Sequence, residues 1–336
     1  MKSPGLLLTA FVLPVLVSTP ASAQVLQDRF WGTNGSVLSV VSVGNVVYAG
    51  GSFDYVGPNT GSLAFLTVAS GGLVVPYPRV SGDVLTIAGD GSGGWLIGGA
   101  FTSMLGQPRN GLARINASGI LTSWNPNIQG QVHVLLVVGS TIYVGGHFLS
   151  IDGQSRQNIA AFDRTTGALL PWNPGSAPAT ATVRALAIQG STIYAGGDFT
   201  SIGGQAHLGV AALDVNTGQA SSWDAHLIGF EQIPILAPTG ATSPQYYEPV
   251  NVQAIVVGAA YNAVYIGGRF EQIGGLTRPY LGAVDASNGY ATAWNPVCNL
   301  DAFVMVPRYD NGPIISAIYV GGGFSQVGGQ PRHAIA

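Results

Sequence analysis

The sequence predicts an all-β fold, a six-bladed β-propeller of four-stranded antiparallel blades. Three observations predict it. A diglycine at the end of an apolar run recurs six times at near-constant spacing. An Asp-to-Gly turn followed by an aromatic recurs in phase with it. No segment shows a 3.6-residue apolar period with capping residues.

The diglycine runs are "VYAGGSF", "WLIGGAF", "IYVGGHF", "IYAGGDF", "VYIGGRF" and "IYVGGGF". They end at Phe53, Phe101, Phe148, Phe199, Phe270 and Phe324, with gaps of 48, 47, 51, 71 and 54 residues. Before each diglycine lies another apolar run, such as "VRALAI" from Val183 to Ile188, then a short turn. After it comes a polar loop such as "FTSIGGQ", then a third run such as "LGVAALD". That run enters the turns "DRTTG" at Asp163, "DVNTG" at Asp214 and "DASNG" at Asp285, with the shorter "NASG" at Asn116. Five residues past the turn glycine stand Trp124, Trp172, Trp223 and Trp294, and Tyr77 and Trp31 fill the slot in earlier copies. Runs of four to eight β-branched and aromatic residues bounded by Gly, Asn and Asp read as strands. Four strands per repeat of about 48 residues is the arithmetic of a propeller blade. The chain stops at "RHAIA", a third strand without a fourth, and "QVLQDRFW" near the start supplies a fourth strand. The expected ring is therefore closed by the N-terminal strand.

Composition agrees. Of 336 residues 47% are apolar and 8% charged, while 49 Gly and 20 Pro make up about a fifth of the chain. Residues 1–23 read as a signal peptide. Lys2 precedes the run "GLLLTAFVLPVLV", and Ala21-Ser22-Ala23 forms a cleavage site before Gln24. The run is short for a membrane span and contains Pro14. The expected product is exported (secreted, cell-surface or periplasmic), with residues 24–336 as the propeller and no membrane insertion after cleavage. Lys2 is the only lysine, so the cleaved chain carries 11 Arg against 15 Asp and Glu, a net charge of about −4. That balance does not suit nucleic acid. Cys298 is the only cysteine, so internal disulfides are excluded, and it reads as a small buried apolar residue.

Local motifs carry little chemistry. A phosphate loop needs Gly-Lys-Ser/Thr, and a dinucleotide fingerprint needs a following helix; neither is met. The Asp turns lack the oxygen ligands of a calcium loop. His133, His147, His207, His226 and His333 show no metal-ligand spacing, so no metal and no cofactor is expected.

In antiparallel blades alternate connections share one end. The loop after the diglycine and the link to the next blade lie together, and they vary more than the Asp turns. Two features break the repeat there. The position between diglycine and Phe holds Ser52, Ala100, His147, Asp198, Arg269 and Gly323. An insertion spans residues 225–249, with Phe230, Glu231, Tyr246, Tyr247 and Glu248. Aromatics beside carboxylates suit a protein or carbohydrate surface. The expected ligand-contact face is therefore His147, Asp198, Arg269, Phe230, Tyr246 and Tyr247.

The pattern "IYVGG-x-F … AAFD-x-x-TG-x-x-x-x-W" resembles bacterial delta-60-type propeller repeats and is similar to kelch repeats. The resemblance covers nearly the whole chain after residue 23. It implies the propeller fold and, as function, the binding of other proteins. Kelch-like copper oxidases use a Tyr cross-linked to a Cys; Cys298 has no assignable Tyr/His set, so that chemistry is not expected. The expected function is a non-enzymatic binding or scaffold module for protein or carbohydrate. The alternatives are a polysaccharide hydrolase using Glu231 and Glu248, or a structural fragment of a larger surface protein.

Overall fold

The computed structural model describes residues 35–43, 46–53, 62–67, 79–232, 246–247, 249–310, 312–332 and 335. The signal peptide, the N-terminal strand with Trp31, Tyr77, His333, and residues 233–245 and 248 of the insertion lie outside the described residues. The described chain is all-β, with one 3-10 turn at Ala259–Tyr261 and no α-helix. None of its helices is long and apolar enough to cross a membrane. It divides into two compact units, Met1–Asn127 and Ile128–Ala336.

The first unit holds two antiparallel sheets. Strands β1 (Ser36–Val43), β2 (Val46–Ser52) and β3 (Leu63–Thr67) pair in that order. In the second, β5 (Trp95–Met104) pairs with β4 (Val80–Gly89), β6 (Gln107–Pro108) and β7 (Leu112–Ile115). Leu63, Val84, Ile97, Phe101, Met104 and Ile115 form the unit's main core.

The second unit repeats this plan four times. The first copy is β8 (Ile128–Val138), β9 (Thr141–Ile151), β10 (Gln154–Ser155) and β11 (Ile159–Asp163). After the link strand β12 (Ser176–Ala177) come β13 (Val183–Gln189), β14 (Thr192–Gly197), β15 (Ser201–Ile202), β16 (Gln205–Ala206) and β17 (Val210–Asp214). The insertion contributes β18 (Glu231–Gln232) and β19 (Tyr246–Tyr247). The third copy is β20 (Asn251–Gly258), β21 (Ala263–Arg269), β22 (Gln272–Ile273), β23 (Leu276–Thr277) and β24 (Leu281–Asp285). The last is β25 (Ala302–Tyr309), β26 (Ile315–Gly322), β27 (Gln326–Val327) and β28 (Gln330–Pro331). Strands β8, β13, β20 and β25 pack on one another in succession.

Burial follows from strand geometry. Strand β20 alternates half-buried and buried along its whole length, the period of two that a strand dictates. The central strands are buried through "IYVGG" and "IYAGG", because each lies between two partners and between stacked sheets. Two expectations need revising. The fourth strand is reduced to a single bridge per copy: Ile115–Leu121, Phe162–Leu169, Leu213–Ala220 and Val284–Ala291. The polar loop after the diglycine is itself a two-stranded hairpin, as in β15–β16 and β22–β23.

The aromatic of that outer segment ties sheet to sheet. Trp172 Nε1 donates to the Asp214 carbonyl and Trp223 Nε1 to the Asp285 carbonyl, both at 3.1 Å in the following copy. The Tyr of the same copy meets each ring edge-on: Tyr143–Trp172 and Tyr194–Trp223 at 5.1 Å, Tyr265–Trp294 at 5.0 Å. The Asp turns are held by their own carboxylates. Asp214 Oδ1 accepts from the backbone of Asn216 (3.0 Å) and Thr217 (2.7 Å), and Asp163 does the same with Thr165 and Thr166. Those bonds hold both carboxyls below the usual carboxylate range.

The diglycines are explained by space. A Cβ on Gly196 would lie 2.5 Å from Val252 Cγ1 of the next sheet, and one on Gly145 would lie 2.7 Å from Val183 Cγ1. A Cβ on Gly197 would fall inside the Thr182 carbonyl of its own sheet. We expect Gly197→Ala to cost about 1–3 kcal/mol by overpacking. Gly323→Ala, facing only the Phe303 ring at 3.8 Å, should change stability by less than about 0.5 kcal/mol. Urea unfolding followed by tryptophan fluorescence checks both.

Candidate functional site

Each first strand slips by one residue where it faces the diglycine. In the second unit Val132 faces Gly146 and Val134 faces Gly145; Val183 and Ala185 face Gly197 and Gly196; Val252 and Ala254 face Gly268 and Gly267. The extra residue has no partner across the ladder, and a bulge of this kind re-aims its side chain. The extra residues are His133, Arg184 and Gln253, and Phe303 in the last copy. By the same shift the first unit gives Leu38 and Leu85. The frame thus presents one freely variable side chain per copy.

Those bulges meet the residues that follow the diglycine. The Arg184 guanidinium donates from Nη2 to Asp198 Oδ2 at 3.0 Å and from Nε to Asn251 Oδ1 of the next sheet at 3.2 Å. Asp198 Oδ1 also accepts the Thr182 amide. His147 Nδ1 donates to the Ala181 carbonyl at 3.0 Å, leaving Nε2 as its second polar position. His133 meets Gln131 Oε1 through Nε2 at 3.2 Å. Its pKa is pushed down to about 4, first by burial, then by the charge of Arg184 and by His147, against the pull of Asp198. At neutral pH the row His133–His147–Arg184–Asp198–Asn251 therefore contains one cation, one anion and two imidazoles, of which His133 is neutral.

The structure brings His147 and Asp198 into this row. Asp198 is not an open contact residue: the Arg184 pair and the Thr182 amide hold both its oxygens, with each side chain of the pair 24% exposed. Arg269 is exposed and lies opposite Asn251 in the β20–β21 register, which places it at the row's far end. Phe230 stacks on Tyr280 with ring centroids 4.9 Å apart, and Tyr280 is bonded through its backbone to Gly268 and Phe270 on either side of Arg269. Tyr246 and Tyr247 pair through their backbones with Gln232 and Glu231. The start of the insertion is not a loop over the surface but part of the core: Ala225 and Leu227 are buried, and Ile228 bridges to Gln272. Of the two candidate hydrolytic carboxylates, Glu231 is exposed and its amide meets Glu271 Oε2 at 3.4 Å, while Glu248 lies outside the described residues.

Sequence reasoning missed His133, Arg184 and Asn251. The signal for the first two was present: the middle of the triplets "VLS", "VLT", "VHV", "VRA", "VQA" and "AFV" varies freely between fixed small or branched residues. It also missed a structural Arg or His after "GQ" or its equivalent in several copies. Arg156 donates to the Leu170 carbonyl at 3.3 Å and Arg278 to the Thr292 carbonyl at 2.6 Å, and His207 takes that role with the Ser221 carbonyl at 3.0 Å. Cys298 is buried, its thiol donates to the Leu300 carbonyl at 3.0 Å, and burial pushes its pKa up, which makes it unreactive. Among the described residues no group of three or more His, Cys, Asp or Glu could hold a metal ion.

Residues 91–121 match the family described as Domain of unknown function (DUF5122) beta-propeller. The matched stretch runs from the turn before β5 to the bridge at Leu121, most of one repeat. No curated protein matches the sequence. Among solved structures, the computationally designed Ika8 protein aligns with 90% of this chain and 75% of its own at 14% identity, with a TM-score of 0.51. The extracellular domain of BT4673 from B. thetaiotaomicron, described as a one-component system, aligns with 87% of this chain and 32% of its own at 14% identity, with a TM-score of 0.49. The repeat is that of a β-propeller.

The site has a measurable proton linkage. His133 has a folded pKa of about 4 against an ordinary 6.5, so folding favours its neutral form. Its contribution to stability is complete above pH 6.5, falls as pH drops towards 4, and changes no further below it. We expect an NMR titration midpoint near 4 for His133, and a His133→Gln variant whose stability changes less between pH 6.5 and 4.

Proposed function

We propose that this chain is an exported, six-bladed β-propeller of the delta-60 or kelch-like kind, and that it is a binding module. Its ligand is a protein or carbohydrate held at the end where the diglycine strands finish. The observation that carries the reading is the polar row across three successive sheets, from His147 through Arg184 and Asp198 to Asn251, with exposed Arg269 beyond it. Phe230 on Tyr280 adds an aromatic flank beside Arg269. Such a surface offers donors, acceptors and a ring at fixed positions, and it adjoins a segment that departs from the repeat.

The test is an array of glycans and extracellular proteins, followed by calorimetry on any hit. The deletion to use is residues 233–245, since removing 226–248 would also take Leu227 out of the core. We expect that deletion, and separately the pair His147→Ala with Arg269→Ala, to weaken binding at least about tenfold with the melting curve kept. Unchanged binding in both variants would sink the reading.

Ring closure has its own experiment. Removing residues 24–34 should lower the melting temperature, because a blade would lose its outer strand. An unchanged melting temperature rules closure by that strand out.

A further inference from the structure

We propose that the second unit carries another binding site, for a neutral saccharide, at the opposite end of strand β14 from the polar row. A groove of about 420 Å³ opens where the β13–β14–β17 sheet meets the Asp turn of the β20–β21–β24 sheet. Its lining includes Thr192, Ser221, Ser222 and Asn288, together with the buried Tyr194 and Trp223. Thr192 opens β14 and Asp198 follows its end, so the two sites are roughly 20 Å apart along the strand. The volume lies within the range of small-molecule sites, about 300–1,000 Å³.

The groove opens where no large side chain stands in front of the tryptophan; the pair there is Ser221-Ser222, as it is Thr122-Ser123 before Trp124 and Thr292-Ala293 before Trp294. In the preceding copy the two residues before the tryptophan are Leu170 and Pro171, and Leu170 packs into the core beside Trp172. Here the same two positions are Ser221 and Ser222, both exposed. The tryptophan still reaches across to the next sheet, through the Trp223–Asp285 bond, so the wedge stays bridged while its mouth opens.

The polar groups in the mouth are unspent. Neither the Thr192 hydroxyl, the Ser222 hydroxyl nor the Asn288 side-chain amine makes a hydrogen bond with any described residue. The Ser221 hydroxyl accepts the Trp223 amide at 3.2 Å and keeps its proton to donate. The Asn288 amide oxygen accepts from Tyr290 at 3.0 Å, which fixes its amine as the outward donor. No Asp, Glu, Lys or Arg lines the groove. Uncharged groups that both donate and accept match a ligand rich in hydroxyls. A phosphate or uronate would find no cation there, and its desolvation would go uncompensated.

The experiment titrates gluco-, galacto- and manno-configured neutral trisaccharides, and a glucuronate-bearing counterpart, into the isotope-labelled protein. The expected result is saturable binding of at least one neutral sugar, with amide shifts centred on Thr192, Ser222 and Asn288. Copying the preceding copy's pair, Ser221→Leu with Ser222→Pro, should weaken that binding at least about tenfold. Arg269→Ala should leave it unchanged, which separates this site from the polar row. If that variant does not fold, as judged by circular dichroism, Thr192→Val with Asn288→Ala serves in its place and should weaken binding likewise. Absence of saturable binding by every neutral sugar, binding that survives the substitutions, tighter binding of the glucuronate, or shifts centred on His133 and Arg184 would each overturn the proposal.

Discussion

Everything in each repeat is arranged around one close approach: the second glycine of the diglycine against a carbonyl of the first strand. At Gly146 and Gly197 that carbonyl, of Gln131 and Thr182, occupies the volume a Cβ would need. The strands can come so near because the first strand carries one residue too many there. Bulge and glycine are thus two halves of one device. The first glycine does the same for the stacking of sheets, since Gly196 accepts Val252 of the next copy where a side chain would not fit. Where the next copy presents Ala302 instead of Val, the space over Gly267 is looser, at 3.1 Å. The diglycine, which by itself suggests a phosphate loop, is consumed by packing.

This device sorts positions into fixed and free. The valine before a bulge is buried against the neighbouring sheet, as Val183 is at Gly145 and Val252 at Gly196. The bulge residue itself is outside the ladder, and its identity runs from Leu through His, Arg and Gln to Phe. The residue after the diglycine is similarly released. Because both free positions occur at the same end of the strand pair, their side chains meet: Arg184 is a bulge residue and Asp198 its post-diglycine partner. A half-exposed pair of this kind adds little stability, on the order of 1 kcal/mol or less. Its larger effect is to orient Arg184 towards Asn251 and to set the charge that His133 feels.

The β-propeller repeat was legible in the sequence because its constraints are local and recur from copy to copy. Glycine spacing, the Asp turn and the tryptophan each reflect a contact within one copy or with the next. The weak fourth strand was not legible. The apolar residue at Leu169 or Ala220 looks like a strand residue, yet it makes one bridge and then gives way to a tryptophan that bonds to the next sheet. His147 and Asp198 could be singled out as departures from a repeat. The bulge residues His133 and Arg184 left a signal in the variable middle of their triplets, but which side chains they meet depends on a one-residue register slip that a period-two reading does not supply. Asn251 enters through Arg184, a contact between residues 67 apart.

The same logic explains how the two proposed sites fit at opposite ends of the sheets. At the diglycine end, variation is confined to positions the frame does not use. At the Asp-turn end the frame uses the carboxylate to close its turn and its carbonyl to take the preceding tryptophan, and in one copy Leu170 also packs beside Trp172. A site there requires small residues before the tryptophan together with an intact bridge. Ser221 and Ser222 meet both conditions, because the Trp223–Asp285 bond spans the wedge independently of what precedes the tryptophan. The cost is a loss of apolar burial at Ser221 relative to the half-buried Leu170, below the roughly 1.5–3 kcal/mol of a fully buried leucine side chain. A stable frame with buried tryptophans on both sides of that wedge can bear it, and the hydroxyls left unpaired in the mouth are then directed at solvent or at a ligand.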